Sequence, residues 1–429
     1  MEFSEGVEFK PRVWILLGLG IVAFVLAFNV APAHAWTVSL SPDSRQADTA
    51  TGYGITLLAN DADRPVTSVD FTLPDGVGMS ASLGNRLAIC TADQFRATDT
   101  DQAPACPSDS NIADVAMDLP PRGAGPKLVG NAYLGQPQLG TSRGDVYPLQ
   151  VAAQFGGQWA KLVGEVVLNQ IGKPDGVVSA HFPMPGIPLS QINFKFRDGD
   201  AAALINPATC GDHSGSAALT DVDGNVHGLL TGVAITAGFN GSACDSRAFA
   251  PSVSLQQSTT SAGKDVALRV SLGRVDGEQH IAGMHVEMPS GLSIDPAKTK
   301  SCPSEVALSG RCASDLAVGQ VSTTVGSGTA ALKLTGSVFF TLDPKLGPTM
   351  VFAIPAKVGP LDLGTVVIPA PVTFGTSTRG MSVDSQLPQY FRGIPLLLRH
   401  LDLEINAPGM LQNPRDCGGA GLRASFTST

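Results

Sequence analysis

The sequence contains one short motif of the kind that carries a nucleophilic serine. Gly140-Thr-Ser142-Arg-Gly144 matches the pattern G-x-S-x-G, in which the serine of a hydrolase occupies a sharp turn between a strand and a helix. The residues that follow, DVYPL (145–149), favour a strand or a turn instead of a helix. In a chain with 48 glycines, one accidental match is expected, so we interpret Ser142 as a loop residue.

Oxygen and imidazole ligands occur at two places, and neither set is complete. Asp221-Val-Asp223-Gly-Asn225 resembles the start of a calcium loop. Such a loop needs a bidentate glutamate at its twelfth position, which here is Gly232. His213 and His227 are 14 residues apart, whereas a metal site needs three or four suitably spaced ligands. The sequence therefore predicts a polar hairpin tip at Asp221 and no metal site.

The other polar residues do not form a recognisable active site. His280 and His285 are five residues apart, so in a strand their side chains would point to opposite faces. Paired carboxylates at residues 99–101 and 197–200 are typical of acidic loop tips, and a glycosidase would need them placed across a cleft. No phosphate-binding loop or dinucleotide fingerprint occurs. We predict no catalytic, cofactor-binding or metal-binding residue.

The elements that would position these residues occur twice along the chain. Matching segments recur in the same order at a spacing close to 206 residues, which indicates two domains and not a solenoid of short repeats. The matches are Cys106-Pro-Ser-Asp with Cys312-Ala-Ser-Asp, Lys127-Leu-Val-Gly with Lys333-Leu-Thr-Gly, Gly186-Ile-Pro-Leu with Gly393-Ile-Pro-Leu, and Asn206-Pro-Ala-Thr-Cys210 with Asn413-Pro-Arg-Asp-Cys417.

Short alternating runs separated by glycine, proline, asparagine and aspartate predict strands throughout. Examples are GYGITLLAN (52–60), DVALRVSL (265–272) and GSVFFTL (336–342). The sequence predicts an all-β fold of two tandem β-sandwich-like domains from an internal duplication, residues 36–250 and the C-terminally shorter 251–429. Each copy is expected to close its own core. One minor helical turn is expected at residues 389–392.

One hydrophobic helix is predicted before these domains, and it sets the compartment. An apolar run begins at Val13 and ends at Val30, and Ala33-His-Ala35 has the small-x-small pattern that signal peptidase cleaves. Residues 1–35 are therefore a signal peptide or, in the alternative, a membrane anchor at the lower limit of spanning length. In both cases we expect Trp36 onward to lie outside the cytoplasm.

The seven cysteines follow the duplication. The simplest pairing joins Cys90 to Cys106, Cys302 to Cys312, and Cys210 to Cys244, and disulfides are expected in an oxidising compartment. The sequence ends before an equivalent of Cys244 is reached, which leaves Cys417 unpaired. Cys417 is either a buried remnant of a shortened repeat, which we favour, or a covalent link to a second chain.

The order of motifs resembles large secreted proteins of high-GC Gram-positive bacteria. The second copy carries the fuller pattern: Leu361-Asp-Leu-Gly-Thr-Val-Val, Gly393-Ile-Pro-Leu-Leu-Leu-Arg, and Asn413-Pro-Arg-Asp-Cys417. The resemblance covers roughly residues 66–418 and implies a secreted repeat architecture, with no catalytic residue to carry over. In the first copy Ile187-Pro-Leu189 is followed by Ser190 and no arginine, which favours a structural role for the shared motif.

Composition narrows the function. The net charge is -9 and only 15% of residues are charged, so the chain lacks the basic surface of a nucleic-acid binder. We expect an exported cell-envelope or extracellular structural or binding protein without catalytic activity or cofactor. Its partner would be a protein or an envelope polymer, or a second copy through exposed sheet edges. The alternatives are a membrane-anchored accessory subunit, with membrane contact only from Val13 to Val30, and a secreted hydrolase with an unrecognised site.

Overall fold

The computed structural model describes residues 36–59, 63–245, 247–295, 298–329, 331–374, 380–417 and 421–429. The chain there is almost entirely β-structure, which confirms the predicted fold class. The N-terminal helix or signal peptide predicted for residues 1–35 lies outside the described residues. Within the described ranges, no helix has the length and apolar character needed to cross a membrane.

Strands are the main regular secondary structure in both halves of the chain. In the first half (residues 36–250) they are β1 (Thr37–Pro42), β2 (Ala50–Thr51), β3 (Tyr53–Leu58), β4 (Val66–Thr72), β5 (Gly78–Met79), β6 (Asn111–Asp118), β7 (Lys127–Leu134), β8 (Gln138–Thr141), β9 (Gly144–Phe155), β10 (Gln158–Leu168), β11 (Ser179–Pro183), β12 (Gln191–Phe196), β13 (Leu204–Ile205), β14 (Gly211–Asp221) and β15 (Val226–Ile235). In the second half (residues 251–429) they are β16 (Ser252–Gln257), β17 (Leu268–Gly273), β18 (Ile281–Glu287), β19 (Ser293–Ile294), β20 (Gly319–Val325), β21 (Leu332–Asp343), β22 (Gly347–Val358), β23 (Leu361–Phe374), β24 (Met381–Gln386), β25 (Tyr390–Phe391), β26 (Ile394–Pro395), β27 (Leu398–Ile405), β28 (Leu411–Gln412) and β29 (Arg423–Ser428).

Helical segments are short in both halves. In the described ranges the α-helices are α1 (Ala92–Phe95) and α2 (Ser304–Leu308), and 3-10 turns cover Ala81–Arg86, Ser108–Ser110, Gly199–Ala201, Phe239–Gly241 and Ser314–Leu316.

The large sheet of the first half curls back on itself. Its strand order is β1-β3-β12-β6-β7-β9-β10-β11-β4-β14-β15, with β8 beside β9, and all its strand pairs are antiparallel. β15 lies against β1, and the backbone N–H of Thr236 donates to the carbonyl of Arg45. Alternation sets the inward face: in β4 the side chains of Val69 and Phe71 are buried, whereas Asp70 faces solvent.

The second half repeats this strand order. Its large sheet runs β16-β17-β27-β20-β21-β22-β23-β24-β18-β29, which corresponds strand for strand to β1 through β14 in the first sheet. The registers correspond as well, because Val115 opposite Gly130 matches Val321 opposite Gly336 at the spacing found in the sequence. β15 has no counterpart in the described part of the second half.

Three disulfides form between the pairs that the order of the cysteines predicts. Cys90–Cys106, beside α1, packs Phe95 onto the outer face of β9, and Cys302–Cys312 holds α2 in the same way against β21 and β22. The third, Cys210–Cys244, joins the start of β14 to the segment that follows β15. The presence of three disulfides is expected of a protein in an oxidising compartment.

Cys417 is exposed, so the prediction that it is buried is wrong. It follows β28 in an exposed bend, and in the described ranges no strand equivalent to β15 pairs with the neighbouring β29. Among the described residues it is the unpaired cysteine.

The two halves share one continuous apolar core, which differs from the expectation of two separate cores. Residues 389–397 of the second half dock on the first half. Arg392 Nη1 lies 2.9 Å from Oδ1 of the fully buried Asp145. The helical turn expected at residues 389–392 is wrong, because Arg392 and Gly393 have φ of 51° and 74° and form the tight turn between β25 and β26.

Candidate functional site

The interior of the first large sheet contains an apolar cavity of about 120 Å³. Inward side chains of β3, β4, β6, β7 and β9–β12 line it, mostly at alternate positions, and Met79, Leu83 and Leu204 add to the lining from outside the large sheet. The wall consists of aliphatic, methionine and aromatic side chains and exposes no polar surface. The site is therefore a hydrophobic chamber formed by the curled sheet together with the small sheet of β2, β13 and β5 and the 3-10 turn at Ala81–Arg86.

Three phenylalanines on neighbouring parts of the wall are only partly buried, although they point inward. Phe182 and Phe194 have ring centroids 5.8 Å apart, and Phe194 stacks on Phe196 at 6.3 Å. These distances fall in the range of favourable aromatic pairs. All three rings line the cavity, so aromatic side chains form part of its wall.

Small residues on the strands make room for these rings. A Cβ atom at Gly164 on β10 would lie 2.3 Å from the ring of Phe182, so only glycine fits beneath that ring. Ala180, two residues before Phe182 on β11, lines the cavity with a single methyl group. The sequence predicts the strands and their inward faces, but the empty volume depends on these small side chains.

The chemistry of such a cavity is that of apolar binding. A dry apolar cavity of about 150 Å³ in another protein binds benzene or xenon, so about 120 Å³ admits a ring or a short hydrocarbon segment. Tyr147 also lines the wall, and its buried hydroxyl has no hydrogen-bond partner in the described part of the chain. Burial raises the pKa of Tyr147 to about 12, so its hydroxyl stays neutral.

Ser142 lies outside this cavity, on an open groove that it shares with His181 and Asp70. His181 Nδ1 lies 2.7 Å from Asp70 Oδ1, but no hydrogen bond joins Ser142 to His181 among the described residues. Ser142 lies in the turn between β8 and β9, where Thr141 pairs with Gly144. The expected loop is therefore observed, and the strand-to-helix turn of a hydrolase is not formed here.

The pairing of His181 with Asp70 recurs in the second half with the two residue types exchanged. His285 on β18 occupies the position of Asp70, and Asp384 on β24 occupies that of His181, again with 2.7 Å between Nδ1 and Oδ1. A pair that is kept while its members change places acts as a cross-strand ion pair. Neither pair is predicted from the sequence. The alignment of Asp70 with His285 in the repeat would have indicated that the two positions correspond.

The Asp221 turn is a hydrogen-bonded hairpin tip, as the sequence predicts. The Asp221 carboxylate accepts hydrogen bonds from the backbone N–H groups of Asp223 and Asn225, both at 2.9 Å, and lies 3.0 Å from His227 Nε2. The His227 contact is the largest cause that holds the pKa of Asp221 well below its usual range. These contacts occupy the carboxylate without a metal ion.

A second polar cluster, at the junction of the two halves, has no signal in the sequence. The buried Asp48 carboxylate lies 3.0 Å from Arg247 Nη2 and 3.0 Å from His280 Nε2. Arg274 is buried nearby, and burial lowers the pKa of its guanidinium. Asp48 and Arg247 belong to the first half, and the contacts of Asp48 with His280 and of Arg247 with the Glu278 carbonyl join the second half to it.

The remaining sequence candidates are structural. Asp99 accepts hydrogen bonds from the N–H groups of Asp101 and Gln102 within its own loop. Asp198 accepts from Gly52 N–H at 2.9 Å. His213 lies 2.9 Å from the carbonyl of Thr209 and far from His227 along the hairpin. In the described ranges, no three histidine, cysteine, aspartate or glutamate side chains are grouped for a metal ion.

Similarity to known proteins is found in structure and not in sequence. No protein-family model and no curated protein matches the sequence. Among solved structures, the type II cohesin dyad from the adaptor ScaA scaffoldin of Acetivibrio cellulolyticus is similar, at 9% identity over 92% of this chain and 88% of that chain, with a TM-score of 0.17. A TM-score this low supports no inference about function.

Proposed function

We propose that this chain is an exported, non-catalytic binding protein that takes an apolar group into the interior of its first half. The observation that carries the proposal is the cavity, whose wall is wholly apolar and includes the partly buried rings of Phe182, Phe194 and Phe196. A close-packed core leaves few voids of this size, so the void itself is the distinguishing feature.

Location outside the cytoplasm is supported by the cysteines. Three disulfides hold three separate loops in the described chain, and such bonds persist in oxidising compartments. The apolar run at residues 13–30 supports export in the same direction.

The cavity defines the class of ligand. A volume of about 120 Å³ holds one ring or a short hydrocarbon chain, so a larger molecule would insert only one apolar end. Since the wall exposes no polar surface, a charged group at that end would lose its hydration without compensation. The ligand is therefore a neutral hydrocarbon group, alone or as part of a larger molecule.

Benzene and xenon are suitable probes of the cavity. We expect benzene to shift methyl NMR signals of the residues that line the cavity and to raise the melting temperature, because a ligand that binds only the folded state stabilises it. Ala180→Leu fills the cavity and should weaken benzene binding at least about tenfold, which corresponds to about 1.4 kcal/mol. Its matched control is Val383→Leu, at the equivalent position on β24.

The benzene experiment tests both the location of the binding site and the proposed function itself. Binding that survives Ala180→Leu, or methyl shifts confined to the second half, would exclude the cavity as the binding site. Absence of any benzene or xenon binding would refute the proposed function.

One observation favours a hydrolase as the second candidate, namely the groove that Ser142, His181 and Asp70 share. If this groove were an esterase site, turnover of a short-chain nitrophenyl ester would be lost in Ser142→Ala and in His181→Ala alike. We expect no turnover above buffer in the unaltered protein, because Ser142 makes no hydrogen bond to His181 in the described structure.

A further inference from the structure

The large sheet of the second half has an open position between its two edge strands. β29 pairs with β18 and β16 pairs with β17, and in the described part of the chain no strand lies on the other side of either one. Each edge therefore presents a row of backbone N–H and C=O groups that could pair with an added strand.

The first half shows what fills the equivalent position. There β15 pairs with β14, the counterpart of β29, and lies against β1, the counterpart of β16. Leu229 of β15 lies opposite Ala217, and Val233 and Ile235 are buried at the end of the same strand. An alternating strand therefore covers this edge in the first half.

Side chains on the edge strands β29 and β16 are less buried than their equivalents on β14 and β1, as expected of strands that pair on one side only. Ala217 and Leu219 of β14 are 3% and 0% exposed, whereas the equivalent Ala424 and Phe426 of β29 are only half-buried. On the opposite edge, Leu255 of β16 is half-buried, whereas Leu40 of β1 is buried.

The open edges lack the features that usually protect free strands. Neither strand contains a proline, β16 (SVSLQQ) has no charged residue, and β29 (RASFTS) has only Arg423. Natural edge strands are commonly blunted by charges, prolines or bulges in order to prevent pairing with other chains. Their near absence here fits an edge that is paired when the protein works.

An exposed cysteine, Cys417, precedes the edge strand β29. Cys210 precedes β14 and bonds to Cys244, which lies nine residues after Ile235 at the end of β15. Cys417 is the repeat equivalent of Cys210, and it is exposed and unpaired. A strand that took the place of β15 in the second half would bring a cysteine at this spacing close to Cys417.

We propose that the open position between β29 and β16 binds an extended segment of another polypeptide, with apolar residues at alternate positions as in β15. This segment carries a cysteine about nine residues after its last inward residue, and that cysteine bonds to Cys417. Main-chain pairing with a sheet edge supplies affinity, and the alternate apolar side chains supply selectivity.

The bond forms by thiol–disulfide exchange, which needs no separate oxidant. The Cys417 thiolate attacks the sulfur of a partner cysteine that is held in a mixed disulfide with a small thiol. The Sγ–Sγ bond between the two chains forms, the original disulfide breaks, and the small thiol leaves as a thiolate that takes up a proton. One thiol and one disulfide are thus present both before and after the exchange.

The chain itself provides the probe for a test. A peptide with the sequence of residues 226–244, with its cysteine as a glutathione mixed disulfide, is mixed with the full protein. Mass spectrometry follows covalent attachment. We expect attachment to Cys417 at least about tenfold faster than for a scrambled peptide with the cysteine in the same place, because strand pairing raises the effective concentration of the two sulfurs. Cys417→Ser should abolish attachment.

Hydrogen exchange tests the strand pairing separately from the bond. The same peptide with serine in place of its cysteine should slow amide exchange in β16 and β29, in the unaltered protein and in Cys417→Ser alike. Equal attachment rates for the native and scrambled peptides would overturn the proposal. So would protection confined to β14 and β1, which would mean that the peptide replaces β15 in the first half.

Discussion

The two halves share a strand order but leave apolar surface uncovered in opposite places. In the first half Phe194 faces a cavity and is partly exposed, whereas the equivalent Leu403 in the second half is buried. At the sheet edge the contrast reverses, because Leu219 is fully buried and its counterpart Phe426 is half-buried. In the described chain, the first half has the larger apolar cavity and a covered sheet edge, whereas the second half has only a cavity of about 40 Å³ beside the first half and an uncovered sheet edge.

Strand order and register therefore depend on a sequence pattern that both copies share. The cavity, in contrast, depends on a few side chains that differ between the copies. Ala180 corresponds to Val383, and Phe182 corresponds to the buried Ser385, whose hydroxyl donates to Pro369. Exchanges of this kind change volume at a position without changing the alternation that forms the strand. Two copies of one fold can therefore diverge in what they bind.

The largest expected effect tests whether the halves depend on each other. Arg392→Met removes the partner of the fully buried Asp145 and should cost about 3 kcal/mol of unfolding free energy, since it leaves an uncompensated buried charge. The measurement is urea unfolding. The matched control is Pro185→Ala, at the exposed equivalent position of the first half, with an effect within about 0.5 kcal/mol. Equal effects of the two variants would show that the contact does not hold the halves together.

The next comparison concerns the covered and open edges. Leu219→Ala should cost about 3 kcal/mol, as large-to-small changes in a closed core do. Phe426→Ala, at the equivalent but half-buried position, should cost roughly half as much despite the larger side chain. Thermal and urea unfolding of the two variants measure this difference. A greater loss for Phe426→Ala would indicate that the second edge is already covered.

A reciprocal exchange tests the hollow and filled interiors. Ala180→Val should stabilise the protein by about 1 kcal/mol, because two methyl groups enter unoccupied apolar space. Val383→Ala should destabilise it by a similar amount. Calorimetry compares the two variants. Destabilisation by Ala180→Val would mean that its methyl groups meet the wall instead of the void.

The smallest effect concerns the exchanged histidine and aspartate pairs. The hydrogen bond to Asp384 is the main cause that raises the pKa of His285 above 6.5, and the carboxylate of Glu287 adds to it. A raised pKa stabilises the fold fully below pH 6.5, and this stabilisation is lost as the pH rises through the pKa of the folded state. Asp384→Asn should lower the pKa of His285 and reduce this pH dependence, leaving the part that Glu287 contributes.

The size of that effect is limited by exposure, since both side chains of the pair are about half exposed. Exposed ion pairs contribute about 0.2–1 kcal/mol and weaken in salt, so we expect a few tenths of a kcal/mol. NMR titration of the imidazole measures the pKa, and unfolding at pH 5.5 and pH 8.5 measures the stability. An unchanged pKa in Asp384→Asn would show that the pair does not interact in solution.

Much of the fold follows from the sequence alone. Alternating runs identify strands such as β3 and β21, Asp-Gly pairs identify turns, and the spacing of repeated motifs reveals the duplication. The cysteine order leads to the three bonds that form. All of these signals are local or arise from comparison of the chain with itself.

The rest of the structure depends on long-range packing. The cavity arises because Gly164 admits the ring of Phe182 and Ala180 leaves space, and neither effect has a sequence signature. The contacts of Asp48 and Asp145 join residues far apart in the chain, so no spacing rule predicts them. Exposure of Cys417 likewise follows from the uncovered edge, which only the three-dimensional comparison of the two copies reveals.

The exchange of His and Asp between the copies also bears on misassembly. Tandem copies of one fold risk swapping strands between themselves while they fold. If β4 paired with β24 in the native register, Asp70 would face Asp384, and β18 paired with β11 would set His285 against His181. One hybrid sheet would thus oppose two carboxylates and the other two imidazoles, where each native sheet pairs an imidazole with a carboxylate, so the exchange between the copies disfavours both wrong pairings.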